Sequence, residues 1–262
     1  MGYNLKHDGT TGEFALKNDA LQRDALKFDS SGNYVWGGVP NVRHFDDFLG
    51  DVIADEWAVA KGSDGSAVDF AHLTGVNGML RATTGAGAGG SMAANGVQLH
   101  SALQWKANQG GLVFEARVKI SAITNIALFV GLTDQIAALE MPIHSAASAN
   151  TITTNATDAV GFFFDTSMTD DNFWTAGVKA DTDATHADTA IAPVADTYIV
   201  LRVEVDSSGN AKFFVDGVQK GSVMANAVTA TVALTPVVAA FTRTAASATV
   251  EVDYVLTQAT RA

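Results

Sequence analysis

The stretch "TYIVLRVEVDSSGNAKFFVDGVQKGSV" (197–223) decides the fold class of this chain. Its first ten residues alternate between apolar and polar side chains, which is the period of a β-strand with one buried face. The segment 206–210 and the dipeptide Asp216-Gly217 are turn sequences that divide the remainder into two further strands. The stretch therefore predicts a three-stranded antiparallel meander. Its expected inward side chains are Ile199, Leu201, Val203 and Val205, opposite Arg202, Glu204 and Asp206.

Strand patterns of the same kind fill most of the chain after residue 110. "GLVFEARVKI" (111–120) repeats the alternation most clearly, and the loops between the strands are rich in Thr, Ala, Asp, Asn and Gly. Many antiparallel strands without alternating helices predict an all-β, two-sheet antiparallel β-sandwich. The further predicted strands are "ALFVGLT" (127–133), "AVGFFFDT" (159–166), "FWTAGVKA" (173–180), "LTPVVAAFTR" (234–243) and "ATVEVDYVL" (248–256).

The first 41 residues differ from the rest, because they are polar with scattered Leu and aromatic side chains and end near "GGVP" (37–40). We interpret residues 1–41 as an N-terminal extended arm and residues 42–262 as the sandwich, since one large sandwich commonly has this length. The alternative is that the first segment adds an edge strand and covers the core.

Composition excludes several functions. The chain has 16 Lys and Arg against 28 Asp and Glu, a formal net charge of -12, and no basic cluster, which argues against nucleic acid as a direct partner. There is no apolar run long enough for membrane insertion, and no cysteine for disulfides, thiolate metal sites or nucleophilic catalysis. The N-terminus lacks a secretory signal pattern, so we expect synthesis in the cytoplasm of the producing cell.

Two acidic loops are calcium candidates, because calcium prefers carboxylate and carbonyl oxygens. The first is "DTDATHAD", which offers Asp181, Asp183 and Asp188. The second is "DTSMTDD", which offers Asp165, Asp170 and Asp171. Neither follows the EF-hand pattern, so solvated loop carboxylates are the alternative. No other cofactor is predicted, because the glycine run "GAGAGG" (85–90) has no βαβ unit around it and the six histidines show no zinc-ligand spacing.

Tryptophans are the natural platform for stacking against a sugar ring, and this chain has four of them. Core packing is nevertheless the favoured interpretation for most of them, in particular for Trp57 and Trp174. The positions are Trp36, Trp57, Trp105 and Trp174.

Several segments together resemble the concanavalin A-like lectin/glucanase jelly-roll domains, in the versions found in structural proteins of tailed bacteriophages. They are "HFDDFLGDVIADEW" (44–57), "GGLVFEARVKIS" (110–121), "ALFVGLTD" (127–134), the stretch 159–185, the meander 197–223 and "ATVEVDYVL" (248–256). The resemblance covers roughly residues 42–257 and implies a jelly roll of two curved antiparallel sheets. It also implies that the leading segment is a virion-docking extension.

Glucanases of this superfamily carry three acids on one strand of the concave sheet, as Glu-x-Asp-x-Glu or Glu-x-Asp-x-x-Glu, because retaining hydrolysis needs a nucleophile and an acid/base. Glu251 and Asp253 match the first two positions, but the third falls on Val255 or Leu256. The other pair, Glu204 and Asp206, also lacks its third acid. We therefore predict no catalytic residues and read the strand 250–256 as a final sandwich strand, with Glu251 and Asp253 facing solvent and Val250, Val252 and Tyr254 buried.

The resemblance and the missing acid predict a non-enzymatic phage virion structural protein, a capsid decoration or cement protein that stabilises the head. Its predicted partner is the major capsid protein, its predicted location is the capsid surface, and shell symmetry predicts a homo-oligomer, a dimer or trimer. The alternative function is a carbohydrate-binding adhesin on a phage fibre or capsid surface, which would bind host-surface glycans. A degenerate glycosidase is a third possibility.

Overall fold

The computed structural model describes residues 3–7, 14–18, 23–28, 34–35, 41–73, 78–87, 90–146 and 150–260. The chain divides into two compact units, one of Met1–Val42 with Thr260–Ala262 and one of Arg43–Ala259. No helix among these described ranges has the length and apolar character that a bilayer crossing requires.

The first unit contains a four-stranded antiparallel meander in which neighbours in sequence are neighbours in space. The described residues of the segment expected as an extended arm therefore form short strands that pair with one another. Trp36 lies outside the described residues. The strands are β1 (Tyr3–His7), β2 (Phe14–Asn18), β3 (Arg23–Phe28) and β4 (Tyr34–Val35).

The rest of the chain forms the sandwich and its covering elements. In chain order these are β5 (Asn41–Asp46), β6 (Ala58–Lys61), β7 (Val68–His72), β8 (Leu80–Thr83), α1 (Met92–Asn95), β9 (Val97–His100), a 3₁₀ turn (Ala107–Gln109), β10 (Leu112–Ile120), β11 (Ile126–Thr133), β12 (Ile143–Ser145), β13 (Ile152–Thr154), β14 (Ala159–Asp165), β15 (Trp174–Lys179), β16 (Asp183–Asp188), β17 (Ile199–Val205), β18 (Ala211–Val215), β19 (Val218–Met224), β20 (Thr235–Thr242) and β21 (Thr249–Thr260).

Two antiparallel sheets make up the sandwich. Sheet 1 has the strand order β19-β18-β17-β10-β21-β8-β7, and β5 also pairs with β21. Sheet 2 has the order β16-β15-β14-β11-β20-β9-β6. The predicted meander is β17-β18-β19, and its second turn places Asp216 and Gly217 at φ values of 47° and 78°, as a tight hairpin turn requires. The predicted all-β jelly-roll sandwich of two antiparallel sheets is confirmed.

Side chains from the facing sides of the two sheets fill the main core. The rings of Phe162 on β14 and Phe213 on β18 meet edge to face with centroids 5.5 Å apart. The central strands β10 and β17 of sheet 1 alternate between buried and half-buried residues over most of their length, whereas β11, β14 and β20 of sheet 2 are buried at every position. A strand that is buried throughout has both faces covered.

A second apolar layer covers the outer face of sheet 2. Phe129 and Phe163, which are paired across β11 and β14, belong to a buried cluster with Met92 of α1 and Met141 and Ile143 at β12. The helix and the β12–β13 hairpin thus lie over this sheet. The outer face of sheet 2 is closed where its central strands run, while the outer face of sheet 1 carries the polar side chains.

Candidate functional site

The outer face of sheet 1 carries a continuous group of charged and aromatic side chains. They come from neighbouring strands, and ion pairs and hydrogen bonds connect most of them to one another. We call this surface the charged face. It comprises Arg81, Glu115, Arg117, Lys119, Tyr198, Arg202, Glu204, Lys212, Phe214, Glu251, Asp253 and Tyr254.

Glu251 is the centre of one end of the charged face. It is only 2% exposed, and its carboxylate accepts hydrogen bonds from Arg81 Nε at 2.8 Å and from the Tyr198 hydroxyl at 2.8 Å, and pairs with Lys119 Nζ at 2.7 Å. Burial alone would raise the pKa of Glu251, but the hydrogen bonds from Lys119, Tyr198 and Arg81 outweigh it and hold the pKa below its usual value. The carboxylate is therefore ionised at neutral pH, a state suited to accepting hydrogen bonds or acting as a nucleophile rather than to general-acid catalysis.

Tyr198 joins this carboxylate to the cations beside it. The Arg117 guanidinium lies 4.2 Å from the centre of its ring and the Lys119 ammonium 4.9 Å, both within the range of cation–π attraction. Burial, followed by the hydrogen bond to Glu251, raises the pKa of the Tyr198 hydroxyl well above its usual value. The hydroxyl therefore keeps its proton and remains a hydrogen-bond donor. Tyr198 and Lys119 also line a cavity of about 160 Å³, together with apolar residues that include Leu128 and Phe173.

A β-bulge in β21 sets the direction of the next side chains. The pairing with β10 shifts between Arg117, opposite Tyr254, and Val118, opposite Val252, which leaves Asp253 as the extra residue. Asp253 pairs with Arg117 Nη1 at 2.6 Å. The bulge turns Tyr254 to the charged face, where its hydroxyl donates to Glu115 Oε1 at 2.8 Å. The prediction that Tyr254 belongs to the buried side is wrong, because strict alternation does not continue through a bulge. The prediction that Glu251 faces solvent is wrong as well, since its ion-pair partners cover it.

The opposite end of the charged face is a groove of about 350 Å³. Glu204 and Lys212 lie opposite each other on β17 and β18 and form part of its wall. Asp206 and Asn210, from the turn that follows β17, line its rim together with the backbone of Gly110. The volume is within the range of small-ligand sites, and the lining combines a few polar groups with aliphatic walls.

Among the described residues, the closed outer face of sheet 2 presents no comparable surface. The positions of β14 on this face are Ala159, Gly161, Phe163 and Asp165, so the strand carries one acid there. Asp165 is 1% exposed and is held by the Arg243 guanidinium, whose Nε lies 2.9 Å from Oδ1, and by the Ser145 amide at 2.8 Å. This carboxylate is a structural anchor between β14 and the β12–β13 hairpin.

The three calcium candidates of the first acidic loop lie along the β15–β16 hairpin. Asp181 is in its turn, Asp183 pairs with Lys179 at the start of β16, and Asp188 is opposite Trp174 at the other end. Five residue steps separate Asp183 from Asp188, or about 17 Å along the strand. In the second loop, Asp165 is buried while Asp170 and Asp171 are exposed. Calcium binding by either loop stays a prediction.

Three of the tryptophans are buried, with exposed fractions of 7% for Trp57, 5% for Trp105 and 5% for Trp174. They contribute to packing rather than to an exposed stacking surface. The exposed or half-buried aromatic rings near the charged face are instead Phe45, which lies 5.7 Å from Tyr254, and Phe214.

The tertiary structure also brings together His44, Asp46 and Glu56, which the sequence analysis did not connect. Part of this cluster could have been found from the sequence, because His44 and Asp46 are two residues apart and alternate residues of a strand share a face. Sequence spacing gives no reason to add Glu56, which comes from a turn before β6.

A scan against protein-family models and a search of curated sequences give no match to this chain. Comparison with solved structures gives several. A Bacillus licheniformis β-glucanase has a TM-score of 0.54 and 12% identity, over 82% of this chain and 97% of the glucanase. A β-1,3-glucanase from Mycobacterium marinum has a TM-score of 0.52 and 14% identity, over 81% and 97%. An immunostimulatory antigen and pseudo β-1,3-glucanase of Mycobacterium tuberculosis has a TM-score of 0.53 and 12% identity, over 84% and 98%.

These likenesses confirm the concanavalin A-like, glucanase-type jelly roll that the sequence resemblance implied. The prediction of a non-enzymatic capsid decoration protein is contradicted, because the similar structures are named glucanases and glycoside hydrolases. The missing third acid at Val255 or Leu256 argues against catalysis only if β21 is the strand that carries the acids. That assignment rested on sequence alone, so it was not sufficient ground for excluding enzymatic activity. At 10–15% identity the likeness establishes the fold.

Proposed function

We propose that this chain binds carbohydrate on the charged face of sheet 1. The observation that carries the proposal is the fixed array of donors and acceptors that extends from Glu251 and Tyr198 to the groove at Glu204 and Lys212. The fold shared with proteins named as glucanases supports a carbohydrate ligand over other small polar molecules.

Sugar hydroxyls require hydrogen-bonding groups that are already oriented before binding. The ion pairs of the charged face provide this, because a guanidinium or carboxylate held by a neighbour loses little further freedom when it contacts a ligand. Arg81, Arg117 and Arg202 keep 36–41% of their side chains exposed while they are paired, so part of each fork remains available.

The balance of charge indicates a neutral glycan. The charged face has five bases and four acids, and all but one of these nine side chains are paired with one another. A surface of this kind offers both donors and acceptors without a strong net field, which suits hydroxyl groups better than uronic acid or sulfate groups.

The length of the face fits a chain of several sugar residues rather than one. Six residue steps separate Val113, opposite Glu204, from Lys119, opposite Glu251, and six steps along a strand span about 20 Å. The groove would hold one end of the glycan, and the surface around Tyr198 and Tyr254 would contact the remainder.

The test is titration calorimetry of the full chain with β-1,3-glucan and mixed-linkage β-glucan oligosaccharides, with release of reducing ends measured in the same samples. We expect saturable binding that weakens about tenfold in Lys212→Ala and in Glu204→Gln, as the loss of one hydrogen bond to a charged group predicts. Lys179→Ala is the matched control, because Lys179 is on β15 of sheet 2 and contacts Asn226. No saturable binding to any oligosaccharide, or an equal loss in the Lys179 variant, would overturn the proposal.

A further inference from the structure

His44, Asp46 and Glu56 form a second cluster with its own chemistry, separate from the charged face. Their nitrogen and oxygen donor atoms lie within 4.8 Å of one another. His44 and Asp46 are the half-buried, same-side positions of β5, and Glu56 is in the turn closed by the hydrogen bond from the Trp57 amide to the Ala54 carbonyl, at 2.9 Å. We propose that this cluster binds a zinc ion.

The spacing of one pair of donor atoms fits tetrahedral coordination. Ligands at roughly 2.0–2.1 Å from a tetrahedral zinc are about 3.3–3.4 Å apart. His44 Nε2 and Glu56 Oε1 are separated by 3.4 Å, and these two atoms do not form a hydrogen bond of good geometry. This distance leaves room for an ion that contacts both atoms.

The imidazole of His44 supplies the independent indication of a ligand. The His44 side chain is 24% exposed, but its Nε2 atom is buried and makes no hydrogen bond with the described residues, with Glu56 Oε1 lying 3.4 Å away. A bound cation would satisfy this nitrogen. It would also neutralise the carboxylates of Asp46 and Glu56, so that the two negative charges on one side of the site become favourable.

The residues around Asp46 hold its carboxylate in place. Trp57 Nε1 donates to Oδ2 at 2.7 Å and the Phe48 amide donates to Oδ1 at 2.8 Å, which leaves one lone pair free on each oxygen. The Trp57 ring also lies 5.2 Å from the His44 ring. Outer groups that orient the ligands in this way are typical of metal sites in proteins.

The donor set selects the type of metal. Calcium prefers six or more oxygens, so the imidazole argues against it, and the chain has no thiolate for softer ions. One imidazole and two carboxylates suit zinc and leave a fourth position for water. The ion would fasten the first strand of the sandwich, β5, to the turn before β6.

The experiment uses the full chain after dialysis against a chelator, titrated with zinc chloride in a calorimeter and, separately, with cobalt as a spectroscopic substitute. We expect one zinc per chain, a cobalt absorption band typical of tetrahedral sites, and an increase in the melting temperature when zinc is added. Glu56→Gln and His44→Gln should each weaken zinc binding by at least about tenfold.

His72→Gln is the matched control, because His72 Nδ1 lies 3.1 Å from the Phe48 carbonyl but His72 is outside the cluster. Glu56 is 53% exposed, so its variant tests the site without disturbing the core. Loss of binding in the Glu56 variant with retention in the His72 variant supports the site. The proposal is overturned if zinc does not bind saturably, if Glu56→Gln binds as tightly as the natural sequence, or if the His72 variant loses binding equally.

Discussion

The outer faces of the two sheets differ in polarity and in exposure to solvent. Sheet 1 leaves its outer face accessible and covers it with paired charges, such as Glu251 with Lys119 and Asp253 with Arg117. Sheet 2 carries apolar side chains on both faces and buries the outer one under α1 and the β12–β13 hairpin. The first arrangement leaves a polar surface accessible, whereas the second adds to the core.

This difference determines which sheet face exposes hydrogen-bonding groups to solvent. The outer face of sheet 2 at β14 has Gly161 and Phe163 in its middle and is out of contact with solvent. Hydrogen-bonding groups are concentrated on sheet 1 instead. The comparison predicts that substitutions on the outer face of sheet 2 have the largest effects on stability, whereas those on sheet 1 affect binding and have smaller effects on stability.

The largest effect is expected from Phe163→Ala on the outer face of sheet 2. Phe163 is 1% exposed and packs against Trp174, with ring centroids 6.3 Å apart, so its removal leaves a cavity. We expect a loss of about 3–5 kcal/mol in the free energy of unfolding, measured with a chemical denaturant. Phe214→Ala on the charged face is the matched variant and should cost only about 1 kcal/mol. Equal losses would mean that the two faces are not different in the way described.

A smaller effect, with a dependence on pH, is expected from Glu251→Gln. Because the pKa of Glu251 is lowered in the folded chain, its stabilising contribution is fully present above the pKa of an unfolded Glu, about 4.3, and is lost as the pH falls through the folded value. The variant should lose roughly 1–3 kcal/mol at neutral pH and converge with the natural sequence in acid. Unfolding measured from neutral to acidic pH checks this. A constant difference at every pH would contradict the role of the ionised carboxylate.

The smallest effect is expected from Asp134→Asn, and it has the opposite sign. Burial and then the charge of Asp158 raise the pKa of Asp134, while Oδ2 of Asp158 is buried without a hydrogen-bond partner in the described part of the chain. The favourable contribution of the protonated Asp134 is present below the unfolded pKa of about 3.9 and is lost as the pH rises through the folded value. Asparagine keeps an oxygen for the Thr157 and Asp158 amides, at 3.1 Å each, without the charge.

We therefore expect Asp134→Asn to increase the free energy of unfolding at neutral pH by roughly 1 kcal/mol, the size of an ordinary point substitution. Thermal unfolding at neutral and acidic pH measures the change. Asp170→Asn, at an exposed site, should have little effect. Destabilisation by Asp134→Asn at neutral pH would show that neighbouring groups stabilise the negative charge of Asp134, as ion-pair partners do for the acids of sheet 1.

The sequence allowed the strands with clear alternation after residue 110 to be predicted, whereas β8 was not recognised and β16 was interpreted as an acidic loop. The meander 199–224 was recognised because alternation and turn residues coincide, and Asp216 and Gly217 adopt the expected backbone angles. The apolar strand 159–165 was recognised as a strand, but its pattern does not say what covers its second face. The hairpin β12–β13 that covers it has little periodicity of its own.

The site was less predictable, for identifiable reasons. The direction of Tyr254 depends on a bulge that forms only when β21 pairs with β10. The burial of Glu251 depends on Arg81, far away in sequence, and on Lys119 and Tyr198.

The predicted homo-oligomer is a matter for solution measurements and stays a prediction.

The sequence by itself determined the fold class, because the period of side-chain polarity and the turn residues are local properties of the chain. Only the tertiary structure decided which sheet face is open, which acids are paired and which side chains from distant strands meet, as His44 and Glu56 do. The physical reason is that strand neighbours in a sandwich are distant in sequence. The charges and cavities that make a site are therefore set by pairing and packing, which no short stretch of sequence records.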